Sequence, residues 1–330
     1  MIKPNKLATS IAIAIGVSAI SSGAAVAGAG LWPHVVNSPS VTTVVSVINS
    51  DTSPTSPDTL HYILWYKNID PDTSATPPNL RACEEVNVFL PTSPNDIQSI
   101  DLGNVFTDPT EDPRLGVLFN DPSVNNDWAG SGRTFALAQA ANTTPLRGYL
   151  VVDNSDTAGE NVSGDALVLE YATGAAWGYY AKTDSGDDFE DEGISHLDSA
   201  QISAKPFAQI DTSFMVTPVG PDMSLVGNYT ADINLNVGGI SVMYDRDENP
   251  VSGANPATVR CVGRVEATDL VTGGAQSFLP DGGWSNLIVT NPLGGAVVYQ
   301  LEYGIDNFNG QPLPAGAQGN YYNNAFELAE

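Results

Sequence analysis

The sequence predicts an all-β protein of antiparallel β-sandwich lobes, with long acidic loops and little helix. Segments rich in Val, Ile, Thr and Tyr recur at short intervals, separated by clusters of Pro, Gly, Asn and Asp, the punctuation of sandwiches and barrels. Helical periodicity is nearly absent from the 330 residues. A strand–turn–strand unit recurs within the first half of the chain.

The first element is a secretory signal, residues 1–27. Lys3 and Lys6 charge its start, residues 7–20 are uncharged and apolar, and Ala25-Val26-Ala27 places small residues before Gly28. Cleavage is expected between Ala27 and Gly28. Ser18, Ser21, Ser22 and Gly23 dilute the stretch below what a membrane anchor needs, so no membrane span is expected after cleavage. An N-terminal β-sandwich lobe is expected over 28–204 and a C-terminal one with a loose tail over 205–330, divided near the polar, acidic stretch 183–199.

Expected strands run over 41–48, 60–66, 84–90, 148–152, 166–171, 231–235, 239–244, 259–267, 286–290 and 296–303. The run Ala231-Asp232-Ile233-Asn234-Leu235 alternates cleanly, as a strand with one wet face should. The best helix candidate is 134–141. Pro- and Asp-rich loops are expected over 71–79 and 107–127.

The repeat rests on Asn49-Ser50-Asp51-Thr52 and Asn154-Ser155-Asp156-Thr157, each following a Val-rich strand and each preceding a tyrosine, Tyr66 or Tyr171, at the same distance. Tyr62 and Leu64 align with Leu167 and Leu169. Residues 45–66 and 150–171 are therefore expected to form hairpins or strand pairs of one shape. The unit is similar to the paired strands of immunoglobulin-like sandwich domains, a likeness of fold that implies no function.

The chain carries 12 Lys and Arg against 38 Asp and Glu, a net charge of −26. Removing residues 1–27 takes away Lys3 and Lys6 and no acid, leaving 10 − 38 = −28. Such a field repels phosphate backbones and anionic lipid, so no nucleic-acid partner is expected. Cys83 and Cys261 are the only cysteines. Export makes a disulfide between them the expected state, tying the first third of the chain to the last.

No catalytic residue or cofactor emerges from the motifs. The three histidines, His34, His61 and His196, make no zinc signature, and neither a nucleophile elbow nor a phosphate loop is present. Ser195 beside His196 does not make a catalytic pair by adjacency alone. The loop 184–192 is a candidate calcium site through Asp184, Asp187, Asp188 and Glu190, because calcium takes six to eight oxygens and crowded carboxylates favour a cation. Asp245, Asp247 and Asn249 have the alternate spacing of a calcium loop, but Pro250 stands where an EF-hand needs glycine. Trp128, Trp177, Tyr179 and Tyr180 are candidate sugar-stacking aromatics. Asn142, Asn161 and Asn228 begin glycosylation sequons.

The functional expectation is a secreted, non-enzymatic protein with a structural, adhesion or assembly role at the cell envelope or outside the cell. Its partner would be a protein or polysaccharide at the cell surface. The alternative is a carbohydrate-binding module, or a carbohydrate-active hydrolase using paired carboxylates.

Overall fold

The structure, a computed structural model, describes residues 28–50, 58–93, 95–102, 117–119, 145–154, 162–170, 175–184, 196–206, 210–220, 223, 228–304 and 319–328. The N-terminal strands are β1 (Ala29–Asn37), β2 (Val41–Asn49), β3 (Asp58–Asn68), β4 (Glu84–Thr92), β5 (Asp96–Asp101), β6 (Val117–Phe119), β7 (Leu146–Asn154), β8 (Val162–Glu170), β9 (Ala175–Tyr180) and β10 (Lys182–Asp184). They form two five-stranded sheets, ordered β10-β1-β7-β3-β4 and β6-β5-β2-β8-β9.

The C-terminal strands are β11 (Ser199–Ala204), β12 (Ile210–Pro218), β13 (Thr230–Leu235), β14 (Val242–Tyr244), β15 (Pro250–Ser252), β16 (Ala257–Arg260), β17 (Gly263–Glu266), β18 (Gly283–Thr290), β19 (Ala296–Gly304) and β20 (Gly319–Glu327). One sheet runs β17-β12-β19-β20; the other runs β15-β14-β18-β13-β16, with β11 also paired to β18. The pairings between these strands are antiparallel. Helix among the described residues is limited to the single turns α1 (Ala267–Leu270) and α2 (Gly273–Gln276) and two short 3-10 turns, Pro71–Thr73 and Pro78–Leu80. The helix candidate at 134–141 lies outside the described residues.

The all-β, antiparallel expectation holds, and β13 shows the predicted alternation with Ala231, Ile233 and Leu235 buried. One detail of the strand reading needs correction. The stretch 259–267 is not one strand: the chain turns at Cys261, whose φ is 66°, so β16 and β17 join different sheets. Strand β11 pairs with β18.

The repeat does not make hairpins. β2 crosses from its sheet to β3 in the other, and β7 crosses the opposite way to β8. The two units then pair with each other, β2 with β8 and β3 with β7. Their registers differ: Val44 lies opposite Leu167, whereas Tyr62 lies opposite Val152. The alignment also fails by face, because Tyr62 and Leu64 are buried while Leu167 is 36% exposed. What recurs is a crossover between sheets; the proposed residue-by-residue match does not survive. Tyr171 lies outside the described residues.

The interior explains why the sheets stay together. One hydrophobic core joins both N-terminal sheets to one face of the β12 sheet through Met215, Val297, Tyr299, Leu301 and Tyr303. The second core fills the space between the opposite face, with Phe214, Val216, Ala296 and Val298, and the β13 sheet. The β12 sheet is thus buried on both faces, and the N- and C-terminal halves share a core.

Candidate functional site

Cys83 precedes β4 and Cys261 follows β16, and they form a disulfide with Cα atoms 6.1 Å apart across 178 residues of sequence. The separation lies within the range a disulfide spans. Around this bond two asparagine side chains imitate strand pairing between the halves. Asn228 accepts from the Cys83 amide at 2.7 Å and donates to the Cys83 carbonyl at 3.3 Å. Asn79 accepts from the Arg264 amide at 3.2 Å and donates to its carbonyl at 2.7 Å. The Asn228 amide nitrogen is therefore engaged, and glycosylation at that sequon would require this contact to open.

Lys67 provides the third tie. It sits at the end of β3, and its Nζ donates to the carbonyls of Asn79 at 3.2 Å, Arg81 at 3.4 Å and Arg260 at 2.7 Å. The side chain is almost fully buried, at 3% exposure. Burial, reinforced by the nearby charges of Arg147, Arg81 and Arg260, pushes its ammonium down to about 7. Lys67 lies opposite Arg147 in the β3–β7 register. Lys67, Arg81, Arg147, Arg260 and Arg264 are five of the 12 basic residues of the chain. Five of the scarce cations of a strongly acidic protein thus lie near one seam, from buried Lys67 to exposed Arg260.

Acids meet these cations unevenly. Arg264 Nε lies 2.5 Å from Glu266 and its Nη2 lies 3.6 Å from Asp211. Burial alone would lower the Arg264 pKa, but Glu266 and Asp211 outweigh it and hold it above its ordinary value. Burial pushes the Glu266 carboxyl up in spite of Arg264. Arg147 has no ion pair or hydrogen bond among the described residues, and its Nε is closed off from solvent without a partner. Burial, with Arg264 adding to it and the Glu266 charge opposing it, pushes Arg147 down to about 9.

Further along the seam, the Tyr179 hydroxyl accepts from the His34 amide at 3.3 Å and donates to the His34 carbonyl. Trp177, Tyr179 and Tyr299 cluster with ring centres 5.1 to 6.1 Å apart, and His34 lies 5.9 Å from Trp177. Burial, then Arg147 and Arg264, hold the His34 imidazole well below its usual value, so it is neutral. Its Nδ1 has no hydrogen-bond partner among the described residues. Tyr303 donates to Glu170 at 2.6 Å, and Thr217 donates to the Pro33 carbonyl, both across the two halves.

No protein-family model, curated protein or solved structure matches this chain.

The residues singled out from the sequence fall in different places. Asp184 ends β10 opposite Ala29; Asp187, Asp188 and Glu190 lie outside the described residues, as do Ala27, Trp128 and Ser195. Among the described residues no group of three or more His, Cys, Asp and Glu could hold a metal ion. In the Asp245 loop, the carboxylate accepts from the amides of Asp247 and Asn249 at 2.9 and 2.8 Å and from the Asn249 side chain at 3.0 Å. These donors, led by Asn249, hold its pKa down and close the turn. Trp177 and Tyr179 are buried in the seam, which removes them as sugar platforms, whereas Tyr180 is 63% exposed. His61 stacks on Phe89 at 4.1 Å and pairs with Asp153 at 3.4 Å, bridging β4, β3 and β7. No helix among the described residues is long and apolar enough to cross a membrane.

Sequence reasoning found the disulfide but missed the seam. Its members are up to 193 residues apart, as Lys67 and Arg260 are, and no spacing rule links them. The one available signal was compositional: in so acidic a chain, each isolated basic residue invited the question of what it was for.

Proposed function

We propose that this is an exported, non-enzymatic protein with a structural, adhesion or assembly role at the cell envelope or outside the cell. The observation carrying this reading is how its interior polar groups are used: Lys67, Asn79, Asn228 and the Cys83–Cys261 disulfide join distant parts of the chain. A long-range disulfide suits an oxidising compartment. Antiparallel sheets joined by inter-sheet crossovers support an immunoglobulin-like description of the lobes. The acidic surface suits a protein or polysaccharide partner and disfavours nucleic acid. Cell fractionation with surface proteolysis tests the assignment. The expected result is protein outside the cytoplasm whose intact mass begins at Gly28; cytosolic protein retaining residues 1–27 would overturn it.

The carbohydrate-binding reading has separate support in half-buried and exposed aromatics of the C-terminal half. Tyr244 and Trp284 stack at 4.8 Å across β14 and β18, and Phe278 in the same half is 69% exposed. Retention on insoluble polysaccharide would favour it over assembly.

A further inference from the structure

We propose that the outer face of the β13 sheet binds an uncharged polysaccharide chain laid along β11 and β18. The proposal rests on the carbohydrate-binding reading and names its ligand class. β18 alternates along its length: Ser285, Leu287 and Val289 are buried, whereas Trp284, Asn286, Ile288 and Thr290 are half-buried or exposed on the other face. The register with β11 sets exposed Ser203, Gln201 and Ser199 opposite Trp284, Asn286 and Ile288. On the other side of β18, Asn234 lies opposite Ile288 and Asp232 opposite Thr290. Directly opposed residues share a face of the sheet, so the register itself brings these groups together.

Their chemistry selects the ligand. Of the residues that β11, β13, β16 and β18 turn outward, only Asp232 and Arg260 are charged, and their signs cancel. Asp232 also accepts from the Thr258 hydroxyl at 2.6 Å. In a chain of net charge −26, this is a neutral surface, where an uncharged ligand meets no repulsion and strips no ion of its water. Amides and hydroxyls both donate and accept hydrogen bonds, as sugar hydroxyls do. The Gln201 and Asn286 amides, opposite each other, hydrogen-bond no other described residue. At one end Tyr244 and Trp284 stack 4.8 Å apart and 15° from parallel, an aromatic ridge against which the apolar side of a sugar ring packs. Protein partners favour apolar and aromatic centres, and Ile288 is the one aliphatic side chain that β11 and β18 turn outward. From Trp284 to Thr290 the track runs about 20 Å, longer than one sugar, which calls for a chain.

Native electrophoresis of the full chain through gels holding hydroxyethyl cellulose, xylan or galactomannan, with alginate as the anionic comparator, tests the face. At least one neutral polymer should retard the protein, and alginate should not. Trp284→Ala should weaken the retardation by about tenfold or more, and Gln201→Ala by roughly fivefold. Phe89→Ala, at an exposed aromatic of β4, should leave it intact. No retardation in any neutral gel would overturn the carbohydrate reading and this face with it. Retardation that both Trp284→Ala and Gln201→Ala retain would keep the reading and sink the face. Equal retardation by alginate would sink the choice of an uncharged ligand. Sedimentation as a dimer that Gln201→Arg disperses would give the face to a second copy instead. Gln201 is exposed, so its variants decide the matter even where Trp284→Ala does not fold.

Discussion

Lys67 shows how a single residue couples stability to pH. Its ammonium is buried and held by three carbonyls, and its folded value of about 7 lies below the ordinary 10.5. Between these values the unfolded chain keeps a proton that the folded chain has lost. Raising pH therefore stabilises the fold across that window, and the gain disappears as pH falls through 7. The slope should be on the order of 1 kcal/mol per pH unit. Arg147 acts in the same direction only above about 9, so the interval from pH 7 to 9 isolates Lys67. Lys67→Met should be less stable than wild type throughout, because the three carbonyls lose their donor, and its stability should be flat over that interval. Denaturant midpoints at stepped pH measure both effects.

Strands buried on both faces impose requirements that strands with one wet face do not. β1 is buried along its whole length and accommodates Pro33 where its register with β7 shifts, between Trp32 and Val35. A bulge is where a strand tolerates a residue without an N–H. In β7, Gly148 lies between Val35 of β1 and Tyr66 of β3. A Cβ there would sit 2.2 Å from the Trp65 carbonyl oxygen, and backbone cannot swing away as a side chain can. Gly148→Ala should cost about 3 kcal/mol by forcing the strands apart. Gly273→Ala is the matched control: nothing lies within 4 Å of its Cβ position, so the change should stay within about 0.5 kcal/mol. Equal midpoints for the two variants would show that β7 does not pack as closely as described.

At the scale of the whole molecule, the halves are joined three ways: by a shared core, by polar ties and by the disulfide. The individual hydrogen bonds contribute about 1 kcal/mol each. The disulfide closes a loop of 178 residues and stabilises by about 5 kcal/mol in the chain-entropy treatment. The double variant Cys83→Ser, Cys261→Ser should lose about that much. Because the β12 sheet has its two faces in different cores, unfolding should remain one calorimetric transition in both proteins. Two resolved transitions would mean that the halves melt independently and that the shared core contributes little.

The sequence by itself determined the class of the fold and the partner of each cysteine. Alternation along β13 is a local consequence of one face packing and the other meeting water, and two cysteines leave only one intramolecular pairing. Tertiary structure alone decided which strands meet and what the basic residues do. β1 and β19 are buried on both faces, so the alternation that marks a strand in sequence is absent. The repeat of Asn-Ser-Asp-Thr is a local match of sequence, and a local match does not choose sheets; packing carried one unit from the β2 sheet to the β3 sheet and the other back. The seam of Lys67, Arg147, Arg260 and Arg264 exists because distant strands were brought together by burial of their apolar neighbours. Local sequence records the environment a residue prefers, and only the packed core determines which residues share it.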